Sequence, residues 1–189
     1  MGIIYSTTSQ EGIDINSVFI LDTNTPEYPA APFLLGEKAW GSDGTEWVYC
    51  TASITIPASS VVEISEVPGS WSVALIGGAT VATAPTGDLV GVVGGGTGSV
   101  SVPAPTGTQK GAYFWVQRAG NCPNVSCAAA TTKNAQLHSS ATVGGEVTTT
   151  AGGAGTTYQI NGMVISQANG STAGPNTAVL NYPVVGVSG

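Results

Sequence analysis

From Trp47 onward the side chains alternate. Val48, Cys50, Ala52, Ile54 and Ile56 fall on one side, and Trp47, Tyr49, Thr51, Ser53 and Thr55 on the other. A period of two predicts a strand, apolar on one face and aromatic then hydroxylated on the other. The preceding "GSDG" (residues 41–44) ends in Asp-Gly, a tight-turn pair because Gly44 accepts positive φ. Asp43 is therefore read as a turn residue whose carboxylate bonds nearby amides, and Glu46 as an exposed residue at the strand start. Turn chemistry accounts for Asp43 better than a catalytic pair with Glu46 does.

The stretch "GAYFWVQRAGNC" (residues 111–122) sets Tyr113, Trp115 and Gln117 against Phe114, Val116 and Arg118. Bulk on both sides marks a central strand, or one whose outer face a partner covers. Phe114 and Val116 read as core. Trp47, Tyr49, Tyr113 and Trp115 are the interface candidates, because aromatics with a polar handle are favoured at contacts. "SVVEIS", "WSVALIGG", "DLVGVVG", "GSVSVPAP" and residues 158–166 read as further strands. The closing "AVLNYPVVGVSG" reads as a last strand interrupted at Pro183, hence at an edge or a bulge.

Helix signals are nearly absent, since 27 glycines and 11 prolines punctuate the chain. The pattern predicts an all-β fold, a sandwich or barrel-like domain of many short antiparallel strands. Residues 1–35 differ from the rest. Their "TNTPEYPAAPF" carries Pro26, Pro29 and Pro32, which impose extended or turn geometry. They are read as an extended N-terminal arm with one short strand at "SVFIL", reaching a neighbouring subunit or wrapping its own domain. Tyr28 and Phe33 on the arm join the interface candidates. Residues 36–189 form the β-rich domain, either one closed unit or two small lobes dividing near residues 100–110.

Composition then removes function classes. Only 8% of residues are charged, against about 25% in ordinary globular chains, which suits a surface largely buried against neighbours. The net charge is −7, and Lys38, Lys110, Lys133 and Arg118 are scattered. No basic stripe can track phosphates, so nucleic acid is not an expected partner, and an anionic membrane surface is disfavoured for the same reason. No apolar run approaches the roughly 18 residues of a spanning helix, and the N-terminus carries no basic, then apolar, leader pattern. Cys50, Cys122 and Cys127 are read as free, packed thiols, with a Cys122–Cys127 bridge as the alternative in an oxidising compartment.

His138 is the single histidine, which leaves too few ligands for a zinc site. It has serines beside it but no nucleophile elbow. Glu63 and Glu66, three apart, face opposite sides of a strand and do not converge. "GGGTG" (residues 94–98) lacks the spacing of a nucleotide loop. The expectation is a protein with no catalytic set, no metal and no cofactor.

Three stretches together resemble a known group. "GSDGTEWVYCTASITIPASSVVEI" (residues 41–64), "GAYFWVQRAGNCPNVSCAA" (residues 111–129) and "QINGMVIS…AVLNYPVVG" (within residues 159–186) resemble the capsid decoration, or cement, proteins of tailed bacteriophages. The shared pattern is a Gly-x-Asp-Gly-x-Glu turn before an aromatic strand, a Trp-Val-Gln strand, and an Asn-Tyr-Pro segment near the end. The resemblance implies a non-enzymatic virion structural protein made in the host bacterial cytoplasm. It would bind the outside of an assembled capsid in many copies and bridge subunits of the major capsid protein. By family habit it would itself form a homo-oligomer, a trimer among the options. The alternatives are a carbohydrate-binding or adhesin-like module, whose aromatics would stack on sugar rings, and another virion part of the tail or fibre. A small hydrolase built around His138 or a carboxylate pair is the last reading.

Overall fold

The computed structural model describes residues 13–22, 31–67, 69–78, 87–94, 100–107, 109–152 and 157–188. They form eleven strands: β1 (Val18–Asp22), β2 (Lys38–Trp40), β3 (Glu46–Ala52), β4 (Val61–Ser65), β5 (Ser72–Leu75), β6 (Leu89–Val93), β7 (Gln109–Cys127), β8 (Leu137–Ser139), β9 (Val147–Thr148), β10 (Tyr158–Ile165) and β11 (Gly174–Ser188). The all-β expectation holds, and the described residues contain no helix. Two features depart from many short antiparallel strands. β7 and β11 run to 19 and 15 residues. Two pairings are parallel, Thr51 beside Ser72 and Cys127 beside Val147.

β7 is the hub of the sheet. It hydrogen-bonds to β1, β3, β6, β9 and β11, which closes two rings of strands along one shared member. One ring runs β7–β3–β5–β4–β6 and the other β7–β9–β8–β10–β11. Each is completed by a short parallel contact. Closure of this kind leaves few raw edges for other chains to pair with. Residues 100–107 lead from β6 into β7, which pair with one another, so this stretch joins neighbours within the one sheet.

Each ring encloses a core. The first holds Val48, Cys50, Val62, Ile64, Phe114 and Val116. The second holds Cys122, Val125, Leu137, Ile160, Ile165 and Leu180. The β4–β6 pair separates them. Val61, Val90 and Val92 turn into the second core while Val62, Ile64 and Val93 turn into the first. That is period two with both faces apolar, the reason "SVVEIS" and "DLVGVVG" are almost continuously hydrophobic. All three cysteines are buried free thiols. Burial pushes the Cys122 and Cys127 thiols up to about 12, and Cys50 upward as well, so none is a nucleophile near neutrality.

The alternation from Val48 ends sooner than the sequence suggests. β3 stops at Ala52, the chain bends, and Ile54 is exposed. Ile56 returns to the core through a bridge to Val102. Pro57 close behind supplies no amide donor, so the ladder cannot be continued through it.

The expectation at Pro183 is met by a bulge. Between Asn161↔Val184 and Met163↔Leu180, β10 spends one residue and β11 three. Gly162 opposite sits at φ +83, where a Cβ would lie 2.7 Å from the Asn181 carbonyl oxygen. Tyr182 adopts φ +49, a left-handed conformation that costs a non-glycine residue about 1–2 kcal/mol. A bulge of this kind re-aims a side chain out of the ladder. What Tyr182 reaches is described next.

Candidate functional site

The β2–β3 hairpin organises the polar features of the molecule. The turn between its strands closes with the Gly44 amide donating to the Gly41 carbonyl (3.1 Å) and Gly41 to Thr45 (2.9 Å). Asp43 Oδ1 accepts from both the Thr45 amide (3.1 Å) and the Thr45 hydroxyl (2.7 Å). The Thr45 hydroxyl bond holds the Asp43 carboxyl below its ordinary value, against a smaller opposing effect of burial. Asp43 is thus the turn residue the sequence predicted.

Glu46 is not the exposed strand-start residue expected. It is 4% exposed and its carboxylate gathers three donors from two other strands, β2 and β11. Lys38 Nζ lies 2.9 Å from Oε1, while Trp40 Nε1 (3.1 Å) and the Tyr182 hydroxyl (2.8 Å) both donate to Oε2. The physical reason is the hairpin register, which sets Trp40 directly opposite Glu46, combined with the β11 bulge that delivers Tyr182. Glu46 and Asp43 therefore take separate partners. The Glu46 bond is the main cause of an upward shift in the Tyr182 phenol.

Beside this carboxylate a cavity of about 160 Å³ is lined by Lys38, Glu46, Glu66, Trp71, Arg118 and Tyr182, among others. Arg118 is only 5% exposed; it donates to the Pro183 carbonyl at 3.4 Å, and its Nε has no partner among the described residues. Burial lowers its pKa while Glu66 and then Glu46 push back. The group works as a brace that joins β2, β3, β7 and the β11 bulge.

The aromatic candidates come together, but inside the chain. Trp47, Tyr49 and Trp115 form a third cluster with Ala39, on the face of β3–β7 opposite the first core. Trp115 is 2% exposed. Ile13, Ile15, Ala31, Phe33 and Leu35 pack over them, and Tyr113 lies half-buried at the border. The Phe33 ring stands edge-on to Tyr49 and Trp115, at 5.3 and 5.1 Å between centroids. The arm thus wraps its own domain at this face, and its predicted strand is β1, antiparallel to β7 from Val18↔Phe114 onward. As the chain stands, Trp47, Tyr49 and Trp115 are core residues, each no more than 3% exposed. Tyr28 lies outside the described residues, as do Pro26 and Pro29. The Tyr49 hydroxyl and Trp115 Nε1 are buried without a hydrogen-bond partner among the described residues.

Where the arm meets the hairpin, a groove of about 440 Å³ remains open. Its walls are Ile13, Ile15, Ala39, Trp40 and Trp47, with Gly41, Ser42, Asp43 and Thr45 of the turn. The volume lies in the range of small-ligand sites. Trp40 was not singled out from sequence. Its place at the foot of an Asp-Gly turn, opposite Glu46, was the available signal.

A second accessible surface lies on β10 and β11. Val164 and Val179 are directly paired across β10 and β11, 44% and 49% exposed. Exposed Asn121 of β7 stands opposite Val179. After Glu146 the sequence holds no Asp, Glu, Lys, Arg or His to its last residue, and β7 beyond Arg118 has none either. These strand segments themselves carry no charged side chain, in a chain of net charge −7.

His138, on β8, has an Nδ1 without a hydrogen-bond partner among the described residues, while the neighbouring Ser139 hydroxyl accepts from the Tyr158 amide at 2.9 Å. Among the described residues no three of His, Cys, Asp and Glu converge as metal ligands would. No protein-family model matches the chain, and no curated protein matches it in sequence.

Proposed function

We propose that the protein is a structural component of a phage virion. It binds the outside of the assembled capsid and stabilises it by bridging subunits of the major capsid protein. The observation that carries this reading is the partly apolar outer face of β10–β11 around Val164 and Val179, on strands without a charged side chain, in a chain otherwise acidic. Such a surface can lie against repeated copies of a partner without charge repulsion, and its apolar centre with amide surroundings has the composition of an interface. The resemblance to decoration proteins supports it further. Its three segments carry β3, β7 and β10–β11, which are hydrogen-bonded neighbours. A ligand that binds assembled shell and not loose subunits stabilises the shell by mass action, and many symmetric copies multiply the effect.

In this reading the partner-facing residues are Val164, Val179 and their neighbours. The aromatic set of Trp47, Tyr49, Tyr113 and Trp115 holds the arm, while Met163, Ile165, Ala178 and Leu180 of the second core support that face from behind. Co-sedimentation with expanded, undecorated capsids, with unassembled subunits run alongside, is the test. Saturable binding to shells alone, at a stoichiometry matching a symmetry site, is the expected result. Absence of binding at every salt concentration overturns the proposal and returns the question to a tail position or a glycan.

A further inference from the structure

We propose that the cavity lined by Arg118, Glu66 and Tyr182 is a seat for a single sugar ring, one neutral saccharide unit. The argument begins with Arg118, which is buried. A guanidinium has five N–H donors. Among the described residues it makes one long bond, from Nη2 to the Pro183 carbonyl at 3.4 Å, and Nε has no partner. Glu66 lines the same cavity and is the strongest charge partner of Arg118. Yet no ion pair joins the two among the described residues, where the pair formed is Lys38 with Glu46. A buried charge this short of acceptors costs stability unless a further group supplies them.

The walls offer donors, acceptors and ring surface together. Lys38 and Arg118 bring donors, and exposed Glu66 brings an acceptor. Glu46 already holds three donors, from Lys38, Trp40 and Tyr182. Two cations against two carboxylates leave the lining without net charge, which favours a neutral ligand. The rest of the lining includes Tyr182, 49% exposed, with half-buried Trp71 and Leu89. The Tyr182 hydroxyl is fixed on Glu46 at 2.8 Å, and that bond holds its ring in place.

A sugar ring has the matching chemistry. Each hydroxyl both donates and accepts, so one molecule can accept from Arg118 and donate to Glu66. Its C–H face is apolar and suits an aromatic side chain whose polar tip is bonded elsewhere. The volume of about 160 Å³ lies below the ~300–1,000 Å³ of drug-sized ligands, so it takes one ring and not an oligomer. A free carboxylate would satisfy Arg118 but meet repulsion from Glu66 and Glu46. A linear polyol brings the hydroxyls without the ring face. The inference does not depend on capsid binding, because neither Val164 nor Val179 lines the cavity.

The test follows the indole N–H resonances of Trp71 and Trp40 by NMR in the full chain. Trp71 lines the seat, and Trp40 reports on Glu46 through its own hydrogen bond. Glucose, galactose, mannose and N-acetylglucosamine are titrated separately, with glycerol, sodium acetate and N-acetyl-glutamine amide as comparisons. At least one sugar is expected to move the Trp71 resonance with saturation in the millimolar range, about tenfold or more tighter than any comparison compound. Glu66→Ala, at an exposed position, is expected to weaken that sugar about tenfold. Tyr182→Ala removes the ring and is expected to weaken it by about the same factor. Should Tyr182→Ala fail to fold, Glu66→Ala carries the test by itself. No saturable response to any of the sugars up to about 50 mM overturns the proposal. So does an equal response to glycerol, acetate or the amide, or a Glu66→Ala variant that binds the sugar as the parent does.

Discussion

Residues 111–118 and 119–127 belong to one strand and each lines a core, yet their outer faces have opposite fates. In the first half Tyr113 and Trp115 lie beneath the arm and against Tyr49, with the charged brace of Glu46 and Arg118 at its end. In the second half Asn121 and Pro123 are exposed, and Pro123 with Asn124 stands opposite the single residue Thr177. That bulge follows from a proline that cannot donate to the ladder. A strand buried on both faces is a fixed support on which a hairpin and a groove can be held. A strand buried on one face offers the other to a partner. In the proposed reading the first half braces and the second makes contact, whereas the aromatic stripe, read from sequence as a contact surface, is buried beneath the chain's own arm.

The sharpest way to break this comparison is at Trp115. Trp115→Ala is expected to destabilise the isolated protein by about 3–5 kcal/mol in urea unfolding, as for other buried aromatics. A cost below about 1 kcal/mol would mean that the arm is not seated over this face in solution. On the other half, Val179→Lys is expected to change stability by no more than about 0.5 kcal/mol while abolishing co-sedimentation with shells. A variant that unfolds would make Val179 structural, and one that still binds would move the contact elsewhere.

Tyr182 links the halves, reaching from the β11 bulge to a carboxylate 136 positions earlier. Tyr182→Phe removes the donor and leaves the ring, and is expected to cost about 1–2 kcal/mol. Lys38→Met, at a partner that is 47% exposed, is expected to cost under about 1 kcal/mol. The two values, measured by denaturation, rank the parts of the brace.

The last effect concerns Glu63 on β4, between the two cores, and appears only as a dependence on pH. Burial, then its contact with Asp88, raises its carboxyl from 4.5 to about 7. A raised carboxyl favours the folded state while protonated, so the contribution is complete below about pH 4.5 and is lost as pH rises through about 7. The melting temperature is expected to fall between about pH 5 and 8. Glu63→Gln mimics the protonated form and is expected to flatten that slope, gaining roughly 1 kcal/mol at the alkaline end once solvent screening is allowed for. An unchanged slope in the variant would assign the pH dependence to another group.

Much of this was legible in the chain. The Asp-Gly turn, the alternation of β3 up to Ala52, the two-sided bulk of β7, the arm strand and the Pro183 interruption are matters of local dihedral preference and side-chain period. Those act over a few residues and survive in any fold that contains them. Ile54 shows the limit, since its period matched the core face but the strand had already ended at Ala52.

Tertiary structure alone decided which second face is covered, and by what. Periodicity showed that Trp47, Tyr49 and Trp115 share a face, and it could not distinguish a partner from the chain's own arm. Both bury the same apolar surface, and the choice rests on where residues 13–15 and 31–35 are carried by strand pairing. Glu46 reads as a surface residue because the hydroxyl that helps to neutralise it arrives from the other end of the chain. The sequence by itself determined the strands, the turns and the absence of charge after Glu146. Closure of two rings on β7, and with it the division into a braced face and an open one, came from contacts between distant residues that no local preference encodes.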